Sequence, residues 1–66
     1  MPDIKLIRLP HVIQKTGLKK SWIYFLMKQG DFPQSVKLGS RSVAWVENEI
    51  NSWIRERINQ REEGRE

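Results

Sequence analysis

Between positions 19 and 28 the chain sets Lys19, Lys20, Ser21, Tyr24 and Lys28 among the aromatics Trp22 and Phe25. Lys37, Ser40 and Arg41 follow after a short gap. Ammonium, guanidinium and hydroxyl groups are hydrogen-bond donors, and gathered in one stretch they suit the phosphate oxygens and base edges of a nucleic acid. Bond-making chemistry needs a different inventory. The chain has no cysteine and a single histidine, His11, and it offers no paired-carboxylate pocket, no serine with a base in view and no glycine-rich phosphate loop. His11, isolated on an expected helix surface, is read as a solvent-facing side chain rather than a ligand or base. The expectation is a protein with no enzymatic activity, no cofactor, no metal and no small-molecule substrate.

Charge is distributed unevenly. Residues 1–45 hold eight Lys or Arg against Asp3 and Asp31, leaving +6, whereas residues 46–66 hold four Arg against six Glu, leaving −2. The first two thirds are therefore expected to face a polyanion and the last third to face solvent. A mildly basic soluble domain with no such partner is the plain alternative. At 66 residues the chain makes one domain, too small for a deep catalytic cavity. Without cysteine it has no disulfide framework, which fits a reducing compartment. Its longest apolar run, Trp22–Met27, is far below the roughly 20 residues a membrane span needs, and the N-terminal residues lack a signal-peptide core. A cytoplasmic protein with no membrane partner is expected.

The elements that must position the donors follow from apolar spacing. Leu9, Val12 and Ile13 mark a short helix starting near Leu9, where Pro10 is tolerated in the first turn. Gly17 closes that helix after Thr16. A second helix follows Leu18, with Ile23, Leu26 and Met27 as its core stripe and Gly30 as its stop. Lys19 and Lys20 at its start oppose the helix dipole, so a phosphate partner is a reason for their presence and a solvated charged face the bland alternative. Trp22 and Phe25, three apart, are either a second apolar flank packed on a neighbouring helix or part of a DNA-facing or self-association surface.

Asp31-Phe32-Pro33 forms a loop in which Phe32 is held extended and plugs the core. Val36–Leu38 and Ser42–Trp45 flank Gly39-Ser40-Arg41 as a two-stranded hairpin, with Gly39 expected to supply a positive φ at the turn. Arg41 at the tip, with Lys37 nearby, would lay cations along a phosphate strand or into a minor groove, the alternative being ordinary solubilising charge on a loop. The last helix is expected over Val46–Asn59, its stripe formed by Val46, Ile50, Trp53, Ile54 and Ile58. Trp45 and Trp53 are expected to clamp the hairpin to the helices. Residues 1–5 read as a flexible tail, with Leu6–Arg8 adding a short extended segment, residues 6–60 as the domain and 61–66 as a frayed charged end. The fold class is mainly α with a small β-hairpin, a winged helix-turn-helix in the order helix, turn, helix, hairpin, helix.

Residues 8–54 closely resemble the AlpA family of prophage transcriptional regulators, related to phage excisionases and MerR-like DNA-binding domains. The resemblance is carried by Leu9-Pro10, Thr16–Leu18, Ser21 with Ile23-Tyr24, the GxFP of Gly30–Pro33, Val36–Gly39, Arg41–Val43 and the closing WVENEINSWI. It implies a winged-helix fold, sequence-specific binding to double-stranded DNA, control of an integrase gene and, in related members, a directional role in excision. It also implies that the second helix reads DNA through Lys20, Ser21 and Tyr24, with Arg41 as the wing arginine. Trp22 and Phe25 depart from the family pattern, which has polar residues there. They either contact thymine methyls or base steps, or form a self-association patch. The competing class is a protein-interaction module that inhibits a partner regulator or integrase through that aromatic face. RNA is a poorer fit, because the aromatics sit on a helix and not on an open sheet.

Overall fold

In the computed structural model residues 3–63 are described, with side chains through Arg61. The element order is β1 (Leu6–Ile7), α1 (Leu9–Thr16), α2 (Lys20–Gln29), β2 (Val36–Lys37), β3 (Val43–Val46) and α3 (Glu47–Glu63). This is the arrangement of a winged helix-turn-helix, with one strand more than the expected hairpin. Leu6–Ile7 runs antiparallel to β3, so the sheet order is β1-β3-β2 and β3 lies at the centre. The sequence suggested only an extended segment there, because two residues carry too little alternation to declare a strand. Pairing with β3, far away in the chain, makes it one.

Glycine ends both short helices in the left-handed region. Gly17 has φ 75° and its amide donates to Ile13 O at 2.7 Å. Gly30 has φ 82°, its amide donating to Met27 O and the Asp31 amide to Leu26 O, the paired bonds of a Schellman ending. Thr16 braces the turn between α1 and α2: its hydroxyl donates to Val12 O at 2.8 Å and accepts from the Leu18 amide at 3.2 Å. Gly39, by contrast, does not take a positive φ. The expected tight turn over Gly39-Ser40-Arg41 is replaced by a wider connection, residues 38–42, in which the Leu38 and Gly39 amides both donate to Ser42 O, which removes the need for a left-handed residue.

The core is Ile7, Val12, Ile23, Phe32, Trp45 and Ile50, with Leu26, Met27, Trp53 and Ile54 packed partly buried around it. The expected helix stripes reach it, except that Val46 belongs to the sheet and Ile58 is left about half exposed near the free end of α3. Trp45 is fully buried and clamps the sheet to the helices as expected; its indole nitrogen has no partner among the described residues, so packing is its contribution. Ala44 is buried too, although it lies on the other sheet face. It sits in the central strand, directly across from the larger Val36.

α3 starts at Glu47, one residue later than expected, because Val46 is held in the sheet opposite Leu6. The Glu47 amide donates to Lys5 O at 2.8 Å, and its carboxylate lies 3.6 Å from the Lys15 ammonium. Those contacts fix the start of α3 against the chain's beginning and the end of α1. The helix continues past Asn59 to Glu63. Of the two expected tails, residues 1–2 and 64–66 lie outside the described residues.

Candidate nucleic-acid interface

α2 begins without a side-chain cap and without an acidic residue in its first turn; Lys19, extended, holds the cap position and Lys20 the first helical one. Unpaired amides and two cations thus crowd one helix end, an arrangement suited to anions. Lys19, Lys20, Ser21, Trp22, Tyr24, Phe25 and Lys28 are all exposed, as are Lys37, Ser40 and Arg41 on and beside the β2–β3 turn.

Burial of Ile23 sets which way α2 faces. Lys20, Tyr24 and Lys28, at spacings of four, form one stripe on the helix surface. The N-terminal part of that stripe lies beside the wing. A shallow depression of about 340 Å³ is lined by Lys20 and Tyr24 from α2, Arg41 and Val43 from the wing, and Arg8, Leu9 and Pro10 from the start of α1. Tyr24 is seated there by an edge-on contact with buried Trp45, 6.3 Å between ring centroids. Lys37 stands directly across from Val43, on the same sheet face. The fold therefore brings Lys20, Tyr24 and Arg41 into one place, while Lys19, Ser21, Lys28, Lys37 and Ser40 lie outside the depression.

Arg8 was absent from the sequence-derived set. It occupies the cap position of α1 with no side-chain cap bond, a place where Ser, Thr, Asp or Asn is usual. A cation opposing a helix dipole is the same signal that singled out Lys19 and Lys20, and applied to α1 it would have found Arg8.

Trp22 and Phe25 are not a buried flank between helices. Their rings stack on each other, centroids 4.9 Å apart and 23° between planes, and each remains about half exposed. Trp22 is two residues from both Lys20 and Tyr24, about 200° around the helix, so the pair projects from the flank away from the wing. Larger depressions, of about 480 and 660 Å³, lie between α3 and the loop after α2. Glu49 lines both, with Asp31, Glu56 and Arg57 lining the smaller, and the excess of carboxylates there would repel phosphate. Among the described residues no group of His, Cys, Asp or Glu could hold a metal, and no helix is long and apolar enough to cross a membrane.

A helical pair capped by glycines, with a β turn carrying an arginine beside the second helix, defines the winged helix-turn-helix class. Residues 5–58 match the family described as Prophage CP4-57 regulatory protein (AlpA), and the chain belongs to that family. It is 40% identical over 67 residues to the uncharacterized protein ORF88 of Enterobacteria phage P4, covering 97% of this chain and 76% of the phage protein. It is 38% identical over 60 residues to the DNA-binding transcriptional activator AlpA of Escherichia coli K12, covering 82% of this chain and 86% of that protein.

Proposed function

We propose that the chain is a sequence-specific, double-stranded DNA-binding transcriptional regulator of a prophage or related integrative element. It works in the cytoplasm, acts on the element's integrase gene and promotes excision. α2 enters the major groove and the β2–β3 turn lies along the adjoining backbone. The observation that carries this reading is the placement of Lys20, Tyr24 and Arg41 on one basic surface formed by α2 and the wing, with no carboxylate lining it. Kinship with a relative named as a DNA-binding transcriptional activator supports it.

Lys19, Lys20, Lys28, Lys37 and Arg41 supply most of the affinity by neutralising four or five phosphates. The log-log dependence of affinity on salt should then have a slope between about −3.6 and −4.5. One module of this kind buries only about 600–1,000 Å² on DNA, so copies on repeated sites add the affinity that one lacks. Footprinting of the purified protein across the neighbouring integrase promoter and attachment site tests the reading. Protected sites that vanish with Lys20→Ala support it, and a nearly salt-independent affinity counts against it.

The stacked, half-exposed Trp22–Phe25 pair favours a second reading, an interface that inhibits an integrase or a regulator. Trp22→Ala separates the two. Loss of regulation with Trp22→Ala but not with Lys20→Ala would move the assignment from DNA to a protein surface.

A further inference from the structure

The depression between α1, α2 and the wing gathers cations with no carboxylate in its lining. Arg8, Lys20 and Arg41, one cation from each of three elements, line the same hollow; its other walls are Leu9, Pro10, Tyr24 and Val43. None of the three cations is ion-paired among the described residues. Lys15, by contrast, pairs with Glu47, and Arg57 lies over the Trp53 ring and donates to Gln60. Three like charges converging without a counter-charge repel one another, and an anion placed among them converts that repulsion into attraction.

We propose that Arg8, Lys20 and Arg41 form a seat for one phosphate of the DNA backbone, with the Tyr24 phenol as a further donor. This rests on the DNA reading above and specifies how three elements share one contact. A phosphate suits the seat better than a base edge does. It carries a full negative charge and its oxygens accept from several directions, whereas a base edge is neutral and mixes donors with acceptors. Every polar side chain lining the hollow can donate, and the Leu9-Pro10 wall adds apolar surface with no proline amide to compete. A phosphate held simultaneously by the starts of α1 and α2 and by the wing fixes how deep α2 sits and where the wing lies. The seat sets register and carries no sequence information.

The test uses the full chain and a 24-base-pair mixed-sequence duplex, with affinity followed by fluorescence anisotropy across a salt series. Arg8→Ala should weaken binding several-fold, equally on two unrelated duplexes, and Arg8→Lys should restore most of the loss. Its thermal melting should match the parent's, since the Arg8 side chain is exposed and caps nothing. The decisive variant is the triple Arg8→Ala, Lys20→Ala, Arg41→Ala. If the three cations share one phosphate, the salt slope shrinks by about 0.9; three separate phosphates would shrink it by about 2.7 and overturn the proposal.

Two outcomes separate this proposal from the reading beneath it. A parent protein with the expected slope, and an Arg8→Ala variant indistinguishable from it, would overturn the seat alone. A parent that neither binds the duplex nor protects a site in the footprint overturns the DNA reading and the seat together. Inorganic phosphate, tested by chemical-shift changes at Tyr24 and Val43, distinguishes the other source of the same chemistry. If it binds there while Arg8→Ala leaves DNA affinity unchanged, the seat belongs to a free anion and the proposal falls.

Discussion

Trp22 and Phe25 are large apolar side chains that the fold leaves about half in water, a costly exposure for a domain with so small a core. Stacking at the i, i+3 spacing recovers part of that cost, about 0.5–1.5 kcal/mol for an aromatic pair. Trp22→Ala should therefore destabilise the protein by only about 1 kcal/mol in a urea titration, with Phe25→Ala similar and the double variant less than additive. Trp45→Ala, which empties the centre of the core, should cost about 3–5 kcal/mol. If Trp22→Ala approached that figure, the exposed placement of the pair would be wrong. Composition and spacing flagged both kinds of tryptophan. Which one is buried depends on whether another element covers it, and β1 and the helices cover Trp45 while nothing described covers Trp22.

At the scale of elements, the glycines show how far local pattern reaches. Gly17 and Gly30 each end a helix with φ near 80°, where an added Cβ would meet no neighbour but the backbone conformation itself is strained. Gly30→Ala should cost about 1–2 kcal/mol, lowering the melting temperature by several degrees for a domain of this size. Gly39→Ala should change stability by less than about 0.5 kcal/mol, because Gly39 needs no positive φ and has open space around it. A thermal melt of the two variants checks both. The helix stops were legible because a helix end must satisfy its own last carbonyls, a local demand that glycine meets. The hairpin turn was not, since its geometry depends on how many residues the two strands leave unpaired.

For the molecule as a whole, stability for 66 residues is on the order of 3–10 kcal/mol, so each covering element matters. Deleting residues 1–7 removes buried Ile7, the β1 ladder and the Lys5 carbonyl that accepts from the start of α3. That truncation should abolish cooperative melting followed by circular dichroism. Deleting residues 62–66, beyond a last stretch of α3 that is exposed from Arg55 through Arg61, should leave the melting curve nearly unchanged. A folded protein without residues 1–7 would show that β1 decorates the sheet without holding it.

What residue order alone settled was local and periodic: three helices, the glycine stops of the first two, the burial of Ile23, Phe32 and Ile50, and the basic stretch from Lys19 to Lys28. Each follows from an interaction within a few residues or from a repeating apolar face. What only the tertiary structure decided was long-range. Leu6–Ile7 became a strand by pairing across some forty residues, and Trp22 stayed outside because no element packs over it. Arg8, Lys20 and Arg41 came to line one hollow because α1, α2 and the wing all pack around Trp45 and Ile23, a proximity that no spacing in the chain encodes.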